Sequence, residues 1–202
     1  MYIPPSRQQL IQRFSLQQPA AYHRESLKRL NHLQNQTLRK AAVLIGFVER
    51  ENGLNVLFTK RAAHLKHHPG QVSFPGGKYE LEDGSLRATA LRETHEEIGV
   101  FAQQIEIFGQ MPELPTISQF SVTPYLAFID ANYFAAIDHN EVESVFEVPV
   151  EIVLDPKHLY SDTFCVKQQH HRVFAINYQG QFIWGMTAQI IHALQNHIMH
   201  QC

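Results

Sequence analysis

The 202-residue chain predicts an α/β (α+β) fold: a mixed or antiparallel sheet covered by helices, preceded by an N-terminal helical extension. Three observations point there. Apolar, strand-like runs alternate with helical periodicity along most of the chain. An abrupt change of texture separates residues 1–40, rich in Gln, Arg, Asn and His, from the apolar runs that begin at Ala41. Gly and Pro punctuate the intervals between those runs, where turns belong.

In order, SRQQLIQRF and HRESLKRLNHL carry helical spacing on either side of Pro19, giving an extension over 1–40 and a domain over 41–202. AAVLIGFVE and LNVLFTK read as strands joined through Glu51-Asn52-Gly53, whose Asn-Gly pair suits a hairpin turn. HLKHHPGQVSFPGG is a constrained loop, and GSLRATALRETHEEIG a helix with Asp83 or Ser85 as N-cap and Gly99 as left-handed C-cap. AQQIEIFGQM and FSVTPYLAFID read as strands around a Pro-interrupted loop, PELPTISQ. VESVFEV is a further strand followed by a short turn or helix from Pro149, and RVFAINY and QFIW form a hairpin about Gln179-Gly180. In the closing stretch MTAQIIHALQNHI, Met186, Ile190, Leu194 and Ile198 share one helical face.

A net charge of −2 gives no broad basic surface for nucleic acid or anionic lipid. Cys165 and Cys202 are the only thiols and stand in no zinc or redox spacing, which argues against a disulfide framework. The N-terminus lacks the apolar core of a secretory signal, and no run approaches the ~20 apolar residues of a membrane helix, so the expected setting is cytoplasmic. His67-His68, His170-His171 and His192, His197 and His200 show no convincing zinc spacing. Trp184 and the last helix's stripe read as core or dimer surface.

The acidic helix carries the chemistry. Glu93, Glu96 and Glu97 share an arc away from the core-facing Ala90, Leu91, Thr94 and Ile98, and Glu93 and Glu97 meet as like charges four residues apart. A solvated charged face is the plain alternative. Hard oxygen donors without His or Cys select Mg²⁺, Ca²⁺ or Mn²⁺, and such an ion would relieve the repulsion. Magnesium in particular is usually shared with substrate phosphates, which leads to water-driven displacement at phosphorus.

The stretch GGKYELEDGSLRATALRETHEEIGV resembles the signature of the Nudix hydrolases, G-x5-E-x7-R-E-U-x-E-E-x-G-U with U apolar. From Gly77 the first acidic position falls on Asp83, eight residues rather than seven precede Arg92, and Thr94 fills an apolar slot; Arg92, Glu93, Glu96, Glu97, Gly99 and Val100 match. The resemblance implies a mixed sheet sandwiched between helices and a Mg²⁺- or Mn²⁺-dependent hydrolysis of a diphosphate linked to another moiety. It implies Glu93 and Glu97 as metal ligands, Glu96 as a third ligand or a partner through water, Arg92 as the orienting cation and Gly77 as the turn before the helix.

Leu57 to Gly77, LFTKRAAHLKHHPGQVSFPGG, is similar to the motif L-L-T-x-R-S/A-x3-R-x3-G-x3-F-P-G-G of the coenzyme A pyrophosphatase branch of that family. Leu57, Thr59, Arg61, Ala62, Gly70, Phe74, Pro75, Gly76 and Gly77 match, while Phe58 replaces a leucine and Lys66 an arginine. The extra residue in the metal signature is also a feature of this branch. The implied substrate is coenzyme A or an acyl-CoA, cut to 4′-phosphopantetheine or its acyl form and adenosine 3′,5′-bisphosphate. Thr59, Arg61, Lys66, Gly76 and Gly77 are the expected substrate contacts, with Lys60, Arg61, Lys66, His67 and His68 candidates for the 3′-phosphate and Arg61 first among them. Phe74 reads as core or loop anchor. The general base is left among Glu96, Glu97, Glu141, Glu143 and Glu147, the last three fitting plain surface or strand positions better. Rival readings are another nucleoside diphosphate derivative as substrate, or a non-catalytic ligand-binding module. The N-terminal helices would cover the site or build a homodimer.

Overall fold

The computed structural model describes residues 2–18, 21–28, 37–166 and 169–199. A central strand β1 (Arg39–Arg50) turns through Glu51 and Asn52 into β2 (Gly53–Arg61), with Gly53 at φ +116°. The hairpin forms where its Asn-Gly pair predicts. Residues Arg39 to Val48 of β1 run parallel to Phe120 to Ile129 of β7 (Phe120–Ile129), whereas every other pairing in this sheet is antiparallel, so the sheet is mixed.

Beside β1, the other strands fill in both flanks. Short β3 (Val72–Ser73) and β8 (Val142–Pro149) pair with β2, while β5 (Ile105–Gln110) and β6 (Leu114–Pro115) pair with β7. Along its β2 edge β1 changes partner: Phe47 to Arg50 pair with β2, but Ala41 to Val43 pair with β4 (Gly76–Lys78). Between them the Leu44 amide donates to the Pro75 carbonyl at 2.9 Å. The two strands of the hairpin therefore diverge, and the FPGG segment enters the gap.

Period-2 alternation on β1 sorts its side chains between two cores. Ala42, Leu44 and Val48 face α3 (Leu86–Ile98) with Ala90 and Ile98. Ala41, Val43, Ile45 and Phe47 face the opposite core, which contains residues of α1 (Arg7–Ser15), α4 (Val150–Leu154) and α5 (Met186–Met199). With every β1 residue from Ala41 to Val48 buried, the strand's unbroken apolar run is what a doubly covered strand requires. The expected sheet between helices is present.

The N-terminal extension packs into that second core. Leu10 is fully buried, Phe14 nearly so, and His197 of α5 lies within 3.0 Å of the Phe14 and Gln18 carbonyls. Of HRESLKRLNHL, α2 (Arg24–Lys28) is described and residues 29–36 lie outside the described set, as do His200 and Cys202. None of the described helices is long and apolar enough to cross a membrane.

Of the described strands, four escape sequence reading: β3, β4 and β6, two or three residues each in or beside stretches that read as loops, and β9 (Tyr160–Val166). β9 pairs with β10 (Gln169–Tyr178), which pairs with β11 (Gln181–Trp184), making a second antiparallel sheet of three strands. YSDTFCV is mostly polar and exposed, so neither an apolar run nor alternation marks it. Trp184 is 44% exposed rather than core. Nearly all of α5 is buried, and the expected single stripe is only part of what it buries.

His192 on α5 stacks on Phe174 at 4.3 Å, with the His23 ring edge-on 5.7 Å away. Burial, then the charges of His23 and Arg172, push its pKa down from 6.5 to about 4. Between those values the unfolded chain holds the proton and the folded chain does not, so stability is complete above pH 6.5 and falls as pH drops toward 4. The expected loss is about 1–2 kcal/mol, discounted for a ring still partly in water. His192→Phe should flatten this acid limb in urea unfolding between pH 7 and 4; an unchanged slope would refute the assignment.

Candidate active site

The site is assembled from the strand gap and the acidic helix. Ser85 caps α3 by accepting from the Ala88 amide, and Gly99 closes it at φ +73°. Asp83, the other N-cap candidate, does something different. Its side chain is 3% exposed and accepts Nε of Arg92 at 2.7 Å and Nη2 at 3.1 Å, as well as the Thr89 hydroxyl and the Glu80 amide. These donors, Arg92 foremost, hold its carboxyl well below the usual range. The extra residue ahead of Arg92 is thus accommodated in a 3₁₀ turn, Leu81–Asp83, that swings the carboxylate back onto the helix.

Arg92 is also bonded elsewhere. Its Nη2 donates to the Lys78 carbonyl at 2.9 Å, and its Nη1 reaches Glu96 at 2.7 Å and Glu93 at 3.1 Å. One guanidinium therefore ties the loop, the turn and the helix.

The three glutamates do not share one environment. Glu96 is held outward by Arg92 and is 55% exposed, Glu93 has a side chain 14% exposed, and Glu97 is buried at 4%. The wheel set Glu97 on an arc away from the core; instead it is buried with Thr89, Ala90, Thr94 and Ile98, while Leu91, partly buried, packs against the core as its position on the wheel requires. The wheel fails at Glu97 because β4 covers that side of the helix.

Two glycines permit the cover. Gly76 sits at φ +149°, where a side chain would also run into Val43. Any Cβ at Gly77 would overlap the Glu93 carboxylate. Glu97 Oε2 is buried with no hydrogen-bond partner among the described residues. Burial first, then the neighbouring Glu93 and Glu141 charges, push the Glu97 pKa up to about 8 against the opposing pull of Gly76 and Arg61. Burial likewise raises Glu93, opposed by Arg92.

This arrangement fits a hard divalent cation. Among the described residues no three Asp, Glu, His or Cys side chains converge as a finished cage. A buried carboxylate oxygen without a donor, beside a second carboxylate pressed against Gly77, is nevertheless a donor pair that a cation would satisfy, with remaining positions for water and phosphate.

A groove of ≈ 590 Å³ runs from Gly76, Gly77 and Lys78 past Arg61, His68 and Gln71 to Ile117 and Trp184. Arg61, at the end of β2, is close enough to act on Glu97 electrostatically. Lys66 and His67 are exposed and stand outside the groove walls. Thr59, expected among the substrate contacts, is 1% exposed and bonds the Ser73 carbonyl and hydroxyl at 3.4 Å, so it fastens β2 to β3 instead of facing the groove. Phe74 is core, stacked on Phe58 at 5.0 Å. Lys78, which sequence reasoning missed, lines the groove; its position right after the two glycines was the available clue.

The candidate bases separate as well. Glu147 is occupied by Arg50, Asn55 and Tyr133, and Glu143 by Lys60 at 2.7 Å. Glu141 comes from a loop tied to the α3 end, where the Asp138 and Ala136 amides donate to the Glu97 and Ile98 carbonyls. Its charge acts on both Glu93 and Glu97.

Arg92→Met should destabilise the fold by about 2–3 kcal/mol, less than for a fully buried pair because a quarter of Arg92 remains in water. Asp83→Asn should cost less, and the double variant should recover most of the Arg92→Met loss, since the harm lies in an unpaired buried carboxylate. A double-mutant cycle in guanidinium would expose simple additivity as the refuting result.

Residues 37–164 match the NUDIX domain. The chain is 42% identical over 156 residues to the uncharacterized Nudix hydrolase NudL of Enterobacter sp. (strain 638), covering 77% of this chain and 81% of that one. It is 37% identical over 190 residues to the NudL of Yersinia pestis (strain Pestoides F), covering 94% of each. Its backbone is similar to a MutT/nudix family protein from Enterococcus faecalis at TM-score 0.49 and 14% identity, covering 95% of this chain and 73% of that one. A domain match over most of the chain, joined by these identities along its length, makes the protein a member of the Nudix hydrolase family, whose enzymes act on pyrophosphate bonds.

Proposed function

We propose that the protein hydrolyses the diphosphate of coenzyme A or an acyl-CoA, releasing 4′-phosphopantetheine or its acyl form and adenosine 3′,5′-bisphosphate. What carries the reading is the adjacency of two motifs: Arg61 and Gly76-Gly77, from the stretch resembling the coenzyme A branch, line one groove, while Gly77 lies against the Glu93 carboxylate and Arg61 acts electrostatically on Glu97.

Family members generally use Mg²⁺ or Mn²⁺; held by Glu93 and Glu97, the ion would neutralise the diphosphate and make water a better nucleophile. The chain's own groups supply the rest. Arg61 grips a diphosphate oxygen beside Glu97, and the Gly76-Gly77 backbone lets the substrate approach closely. Lys78 offers a cation and His68 an imidazole N–H along the groove for the 3′-phosphate. Glu141 accepts the proton of the attacking water, being the later-loop carboxylate that no described cation occupies and that stands within electrostatic reach of the pair. Arg92 positions Glu93 and keeps Glu96 outward.

Incubated with coenzyme A and Mg²⁺ or Mn²⁺, the protein should release adenosine 3′,5′-bisphosphate, and Glu97→Gln should lower kcat on the order of 10²–10³-fold. Survival of coenzyme A while another diphosphate is cut would overturn the substrate while leaving the family chemistry. Glu141→Gln should lower kcat with little change in KM; an unaltered kcat removes it as the base. For Arg61→Ala, kcat/KM should fall about 10- to 100-fold, equally on coenzyme A and its 3′-dephospho form. A loss confined to coenzyme A would instead make Arg61 the reader of the 3′-phosphate.

A further inference from the structure

The three-stranded sheet has a buried face, with Phe174, Ile176 and Ile183, and an outward face that is apolar and open to solvent. Cross-strand register fixes the shape of the outward face. Ala175 lies between Tyr160 and Trp184, Val173 lies beside Asp162, and His171 lies beside Phe164. Val173 and Ala175 therefore form the floor of a trough, with His171 and Asn177 at its ends and Asp162 the polar member of its sides; the rings that flank it, Tyr160, Phe164, Phe182 and Trp184, are 65, 53, 55 and 44% exposed. The trough encloses ≈ 950 Å³. A patch of this kind on a globular surface marks a binding site.

Its occupant follows from continuity. Ile117 and Trp184 line both this trough and the groove that leads to Gly76, Gly77 and Arg61. The combined channel is cationic and amide-lined at one end and aromatic at the other. That polarity matches one molecule with a diphosphate head and an aliphatic tail.

We propose that the outward face of β9–β11 seats the acyl chain of an acyl-CoA, making chain length a determinant of specificity. The proposal rests on the coenzyme A reading and adds the preferred form of the substrate. No new bond chemistry is involved.

With the full chain and Mg²⁺, kcat/KM is compared for free coenzyme A and its acetyl, hexanoyl, octanoyl and decanoyl thioesters. It should climb roughly twofold per added methylene, half of the roughly fourfold that full burial would give. The double variant Phe164→Ser/Phe182→Ser should flatten that climb while leaving turnover of free coenzyme A within about twofold. Trp184 is the sole tryptophan, so its fluorescence reports binding without turnover. Decanoyl-CoA should shift it at lower concentration than coenzyme A, and the double variant should erase the difference.

Cleavage of coenzyme A with no chain-length trend and no difference in Trp184 response overturns this inference and leaves the coenzyme A reading intact. The same flat profile with a dimer in light scattering that Phe182→Asp dissociates overturns it in favour of a second copy on this face. If no coenzyme A derivative is cut while another diphosphate is, the substrate reading falls and this inference falls with it.

Discussion

Everything at the site hangs on one guanidinium. Arg92 bonds Asp83 through two nitrogens, the Lys78 carbonyl through one of them, and Glu96 and Glu93 through the third. Those partners belong to the 3₁₀ turn, to β4 and to the helix itself, so one side chain reaches all three segments. Each contact is charge-assisted, and those to Asp83 through Nε and to Glu96 are short at 2.7 Å, which makes the set strong as well as directional. Without the pairing, the buried Asp83 carboxylate would be an expensive defect; with it, the turn locks the helix against the glycine strand.

That locking makes the burial of Glu97 tolerable and chemically useful. A carboxylate taken out of water beside another one is held in a high-energy state, visible in a pKa pushed up to about 8 and in an oxygen with no donor. The fold stores this cost at one place and meets it elsewhere, through the two packed cores on either face of β1. A hard cation is the species that would relieve it, and relief of this kind turns electrostatic repulsion into affinity for a metal shared with phosphate. Gly76 and Gly77 complete the design: a side chain at Gly77 would overlap the Glu93 carboxylate, and one at Gly76 would collide with Ala42 and Val43 of β1.

The divergence of β1 from β2 decides where the groove opens. β4 enters the gap, β3 fastens the loop through Thr59 and Ser73, and the groove runs outward from that wedge toward Trp184 and the second sheet. Residues 57–77, continuous in sequence, thus have unlike fates. Leu57, Phe58, Thr59 and Phe74 are structural, while Arg61, His68, Gly76 and Gly77 border open space. A motif can therefore be strong while only part of it borders the groove.

The sequence by itself determined the hairpin at Asn52-Gly53, the acidic helix and its Gly99 cap, the covered sheet and the identity of the carboxylates. Each of these is a local matter: turn chemistry, helical or strand period, and residue type report it within a few positions. Only the tertiary structure decided that Glu97 is buried and Glu96 is not, that Asp83 serves Arg92 rather than the helix cap, and that Thr59 faces inward. It also decided that polar YSDTFCV pairs as a strand, and that Glu141 stands near the glutamates while Glu143 and Glu147 are tied up. These outcomes depend on what other segments bring alongside, and helical or strand periodicity describes one segment at a time.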